Sequence, residues 1–204
     1  MKYELTNPRT YAEYKGMIDS LLAEGKTTGP VQTEAKVAFT RLNRHRKNRI
    51  EKTVNLDEET RTAVRKVDRP MTWLVISEGW CGDGAQSVPI IEKIAAENDK
   101  IKTVYLLRDE NLTLIEELLG KPELSIPKVI ALDDASSDVF FVWGSRPAPA
   151  QELLIKLKAE GVDKDAILEE MQRWYNADKG RAIQHEFVTL LAEWFKGRAA
   201  MAAN

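Results

Sequence analysis

The sequence predicts an α/β chain: a central mixed sheet of order β-α-β-α-β-β-α between N- and C-terminal helical extensions. Three observations carry this. Apolar residues recur at helical spacing over residues 1–69 and again beyond 160. Between them, short apolar and β-branched runs alternate with helical stretches. The charge balance also changes near residue 69, with 15 Lys/Arg and 10 Asp/Glu before it and 15 and 22 after it. The expected organisation is an N-terminal helical extension over 1–69, an α/β domain over 70–160 and a C-terminal helical extension over 161–204 that packs on the core. A chain of 204 residues buries roughly 70% of its unfolded surface, so it needs no covalent staple.

Thr10 to Glu13 has the capping-box form, and Tyr11, Tyr14, Ile18, Leu21 and Leu22 follow on one helical face. Gly25 to Pro30 breaks the chain. A second helix is expected over about 31–53 with Val31, Ala35, Ala38, Leu42 and Ile50 on its apolar side. Asn55 or Asp57 caps a third, ended by Asp68-Arg69-Pro70. Met71–Ser77 reads as a buried strand, 84–97 as a helix, Lys102–Leu107 as a second strand, and Leu112–Leu119 as a helix ended by Gly120 and Pro122. Lys128–Leu132 and Val139–Trp143 read as antiparallel strands, and Gln151–Ala159 as a helix. The first two strands are expected to be parallel, with a right-handed crossover. Helices over about 165–176 and 181–196 carry Trp174, Tyr175, Phe187, Trp194 and Phe195, expected as core between terminal helices, and the tail from Arg198 is expected to fray.

Several function classes drop out. The net charge is −2, which does not favour nucleic acid as a partner. The basic run Arg41, Arg44, Arg46, Lys47, Arg49 and Lys52 lacks interleaved aromatics and reads as a solvated or acid-paired helix face. No run reaches the ~20 apolar residues of a membrane span, and the N-terminal residues lack the apolar stretch of a secretory signal, so the expectation is a cytoplasmic chain with no membrane partner. With one Cys and two His, no metal site is expected.

The chemistry concentrates in Ser77-Glu-Gly-Trp80-Cys81-Gly82-Asp83-Gly84, where a strand hands over to a helix. A cysteine at a helix N-terminus faces unpaired N–H groups and the positive end of the helix dipole, which favour thiolate. The Asp83 carboxylate opposes that. The expected net shift is moderate and downward.

Trp80-Cys81-Gly82 in this setting resembles the active-site segment of the thioredoxin superfamily. Pro89 stands where that family kinks its active-site helix, Ile126-Pro127 stands at its cis-proline, and Gly144 follows the fourth strand. Trp-Cys-Gly-Asp further resembles a monothiol subgroup of bacterial thioredoxin-like proteins with extra helices at both ends. The resemblance implies a thiol–disulfide oxidoreductase with Cys81 as nucleophile. It implies thiolate-stabilising N–H groups at Gly82, Asp83 and Gly84, and substrate contacts from Trp80, Ile126 and Pro127. The family's second cysteine is Gly84 here, and its buried acid is Val75. An external thiol must then resolve the mixed disulfide. No cofactor is required, glutathione or another small thiol being the expected co-substrate. The expected partner is a thiol- or disulfide-containing protein or small molecule, and the chain a monomer or homodimer. The alternatives are a non-catalytic interaction module of the same fold, or a thiol redox sensor.

Overall fold

The computed structural model describes residues 2–120 and 124–202, with side chains to residue 198. Among these residues eight α-helices and four strands run in the order α1 (Tyr11–Ala23), α2 (Glu34–Thr53), α3 (Glu58–Arg65), β1 (Met71–Ser77), α4 (Gly82–Ala95), β2 (Ile101–Leu107), α5 (Leu112–Leu119), β3 (Lys128–Asp133), β4 (Val139–Gly144), α6 (Ala148–Ala159), α7 (Lys164–Asp178) and α8 (Arg181–Ala202). A single 3-10 turn, Arg108–Glu110, follows β2. The helices start where caps are available. Thr10 and Glu13 form the reciprocal capping box of α1, and Thr33, Asp57 and Asp163 cap α2, α3 and α7 through their side-chain oxygens. Gly120 ends α5 in the left-handed conformation; Pro122, the second expected terminator, lies outside the described residues. The terminal helix does not stop at 196 but runs on to Ala202.

The sheet order is β2-β1-β3-β4, with β1 and β2 parallel and the other pairs antiparallel. β1 is buried along its whole length, and its alternate side chains feed opposite faces. Trp73 and Val75 join α4 and α8 residues in the larger core, whereas Leu74 and Ile76 meet Leu114 and Ile115 of α5. The outer edge of β2 is covered by a two-way backbone pairing of Arg9 with Tyr105.

The two extensions dock on different parts of the molecule. α1 packs mainly against α2 and β2, with Tyr14 stacked on Tyr105, while α8 packs against α3, α4 and β4. Phe187 and Trp194 are core residues in α8, as expected of their spacing, but Trp174 and Tyr175 belong to a separate cluster between α6 and α7. The buried face of α2 is Thr40, Asn43, Lys47 and Ile50. Of the residues expected there only Ile50 is buried; Val31 precedes the helix, and Ala35, Ala38 and Leu42 face outward, Leu42 being 44% exposed. The reason is the partner surface: α2 covers the polar turn ahead of α4, which needs hydrogen-bonding side chains rather than apolar ones. Among the described residues no helix is long and apolar enough to cross a membrane.

Candidate functional site

Cys81 is the N-cap of α4. Its Sγ accepts the Gly84 N–H at 3.3 Å and its thiol donates to the Ile126 carbonyl at 3.3 Å. The Ile126–Pro127 peptide bond is cis, and it leads straight into β3. Gly144 closes this corner: its φ is +112°, and a Cβ there would collide with the Pro127 carbonyl.

The turn before Cys81 is held from the N-terminal side of the chain. Thr28 Oγ1 accepts the Gly79 N–H at 2.8 Å, and Asn43 donates to the Gly79 carbonyl at 3.1 Å. Trp80 meets two cations, with Lys36 Nζ 4.3 Å and the Arg108 guanidinium 5.0 Å from its ring centroid. Glu78 is fully buried and accepts the Asp109 N–H at 3.1 Å; burial pushes its carboxyl above the ordinary range. Lys47 is 1% exposed. Its Nζ meets the Tyr14 hydroxyl at 3.2 Å and lies 4.5 Å from that ring's centroid, and burial pulls it from 10.5 down to about 8.

On the other side, Arg146 binds Asp83 through Nε and Nη2 at 3.2 and 2.5 Å, and the Tyr175 hydroxyl donates to Asp83 at 2.8 Å. These elements enclose a cleft of about 470 Å³ that reaches Cys81, walled by α2 on one side and α7 on the other. Cys81 itself is 7% exposed. Burial pushes its thiol up to about 12; Asp83 adds to the rise, and the Gly84 N–H, Lys47 and Arg146 oppose it. This corrects the expected downward shift. Removal from water disfavours the thiolate more than one N–H and two cations favour it.

The family model described as thioredoxin matches residues 29–160. The chain belongs to the thioredoxin family. Its match begins within the loop that grips Gly79, so the thioredoxin match takes in α2 and α3. A comparison with curated proteins finds no match. Solved structures also resemble the chain, two of them at 14% and 16% identity. One is the crystal structure of an HIV epitope-scaffold, with TM-score 0.57 and 14% identity over 91% of this chain and 99% of the other. The second is a protein of unknown function from Pseudomonas aeruginosa, with TM-score 0.51 and 16% identity over 85% and 99%. At these identities they speak for the fold.

Within this thioredoxin frame the structure brings Trp80, Cys81, Gly82, Asp83 and Ile126 to one cleft, with Pro127 behind Ile126. Of the three backbone donors expected at the thiol, Gly84 is the one hydrogen-bonded to Sγ, while Asp83 contributes an opposing charge. Position 84 is also not an open slot for a second thiol, because a Cβ there would collide with the Ser77 hydroxyl. Lys47, read as part of a solvated face, is buried beneath the site; Arg46 lines the cleft, and Arg44 pairs with Asp19 as expected. Arg146 and Tyr175 carried no local signal in the sequence. Lys128 donates to the Gly144 carbonyl at 3.0 Å. Among the described residues no three His, Cys, Asp or Glu side chains gather as metal ligands.

Proposed function

We propose that the chain is a monothiol thiol–disulfide exchange protein with Cys81 as its nucleophile. The observation that carries this is the placement of the Cys81 sulfur. It caps the active-site helix at the base of an open cleft, beside Ile126-Pro127, in a sequence with no second cysteine. The Cys81 thiol loses its proton to solvent, and the thiolate attacks one sulfur of a disulfide. That S–S bond breaks, the departing half leaves as thiolate, and Cys81 is held in a mixed disulfide. An external small thiol such as glutathione attacks the Cys81 sulfur of the mixed disulfide, releasing the second half of the substrate as thiolate and leaving Cys81 joined to the external thiol. A second external thiol attacks that thiol's sulfur, releasing the Cys81 thiolate and the external disulfide. The net reaction oxidises two external thiols to a disulfide and reduces the substrate disulfide. Gly84 N–H, Lys47 and Arg146 are the groups that favour the thiolate.

The buried, protonated thiol favours a second reading, a binding module or redox sensor in which Cys81 does not turn over. Steady-state reduction of a small disulfide by external thiol separates the two. The exchange reading expects turnover that rises about tenfold per pH unit below the thiol pKa and vanishes in Cys81→Ser. Wild-type turnover no faster than Cys81→Ser overturns it. A Gly84→Cys chain is expected to gain internal resolution of the mixed disulfide only when combined with Ser77→Ala, which removes the colliding hydroxyl.

A further inference from the structure

The walls of the cleft carry charge as well as apolar surface. Lys36, Arg46, Arg108, Arg146 and Lys164 line it, and Asp83 is the single carboxylate among its described lining residues. Asp83 is already held by Arg146 and Tyr175, and Arg108 pairs with Asp109 at 2.7 Å. Arg46 is half-buried, and its partner is the neutral side chain of Asn43 at 3.1 Å. Burial, and then Arg49, pull its guanidinium below its ordinary value, so an anion beside it would relieve an unfavourable charge. The same walls leave Phe39 and Leu168 37% and 40% exposed, although each faces a concave surface. A cleft of about 470 Å³ falls within the ~300–1,000 Å³ of small-molecule sites.

We propose that this cleft selects small anionic disulfides and thiols, with an apolar body against Phe39 and Leu168 and carboxylates toward Arg46 and Lys164. The proposal rests on the exchange reading for its chemistry and names the substrate class of that same site. It separates this cleft from a peptide groove. The occupant is a compact molecule between α2 and α7, selected by charge.

Two aromatic disulfides provide the probe: the dicarboxylate bis(nitrobenzoate) disulfide and the neutral bis(pyridyl) disulfide. Thiolate attack on either forms the Cys81 mixed disulfide and releases one coloured thiolate. The ratio of the two rates on Cys81 is expected to exceed the ratio on a small free thiol by about fivefold or more, and to fall with added salt. Arg46→Gln combined with Lys164→Gln is expected to return it to the free-thiol value, and Arg173→Gln, whose charge pairs with Glu169 and Glu170 outside the cleft, to leave it unchanged. A wild-type ratio equal to that of the free thiol overturns the proposal if Cys81 reacts. Binding of the thionitrobenzoate dianion to Cys81→Ser, followed by equilibrium dialysis, does not depend on reactivity. Saturable binding that weakens about three- to tenfold per removed charge supports the cleft even if Cys81 proves inert, in which case the exchange reading alone fails. No binding to Cys81→Ser overturns the cleft even if Cys81 turns over. Lys164 is exposed, so Lys164→Gln alone gives the answer should the Arg46 variant fold poorly.

Discussion

α2 and α8 are the two longest helices, and both lie against α4, yet they bury opposite kinds of surface. α8 buries Ile183, Phe187, Leu191 and Trp194, with Phe187 packed 5.0 Å from Trp73 and 5.6 Å from Trp143 between ring centroids. α2 buries Thr40, Asn43 and Lys47 ahead of Ile50. Apolar burial is non-directional and scales with area, so α8 acts as a stabilising buttress. A hydrogen bond has direction, so α2 fixes the backbone around Gly79 and sets where Cys81 sits. The extension that holds the fold together and the extension that shapes the site are different parts of the chain.

The contrast breaks first at Phe187. Phe187→Ala is expected to lower stability by about 3–5 kcal/mol, read by chemical denaturation. A loss below half of that means α8 is an appendage rather than a buttress. Asn43→Ala is expected to cost less, about 1–3 kcal/mol, because it strands the buried Gly79 carbonyl. It should also change the rate of Cys81 alkylation, which Phe187→Ala in its folded state should not. Equal effects of the two variants on alkylation would erase the distinction between the helices.

Lys47 sharpens the comparison through pH. Its folded pKa of about 8 lies below its ordinary 10.5, so the unfolded chain binds its proton more tightly. Stability therefore rises as pH rises through that window. Above 9 the raised thiol of Cys81, with an ordinary value of 9.0 and a folded value of about 12, works in reverse, because the folded state holds its proton longer. Between about pH 8 and 9 Lys47 contributes a gain of about 1 kcal/mol, from which the thiol's early titration takes back roughly 0.4 kcal/mol. Lys47→Met should flatten that gain, and an unchanged slope would place the titration elsewhere.

The smallest effect is expected at Asp83. Asp83→Asn removes a negative charge near the thiol and releases Arg146 from its partner. Both changes lower the Cys81 pKa, by about one unit, measured from the pH dependence of alkylation with a neutral reagent. A pKa that stays put or rises would show that Asp83 acts as a brace for Arg146 and Tyr175 rather than as a charge on the thiol.

How much of this was legible in the sequence follows from the same contrast. β1 and α4 announce themselves, since an unbroken apolar run followed by Trp80-Cys81-Gly82 has few other structural meanings. α8 is legible because Phe187, Leu191 and Trp194 repeat at helical spacing. The buried face of α2 is not, because Thr40, Asn43 and Lys47 look solvated until a polar backbone turn is set against them. Arg146 and Tyr175 stand 63 and 92 residues from Asp83, and an isolated Arg or Tyr carries no periodic signal. The thiol's protonation is not legible for a related reason. Helix position is local and readable, whereas burial depends on walls supplied from both ends of the chain.

The grip of Thr28 and Asn43 on Gly79, and of Arg146 and Tyr175 on Asp83, has a consequence for biosynthesis. Domains assemble as the chain emerges from the ribosome, and the pocket around Cys81 is incomplete until α7 has left the exit tunnel. Nearly a hundred residues must be added after Cys81 before its last wall arrives. Throughout that interval the sulfur is an open thiol with the reactivity of an unfolded cysteine, not yet held protonated by burial. Oxidative damage at Cys81 should therefore track the rate of translation and folding more closely than the age of the mature molecule.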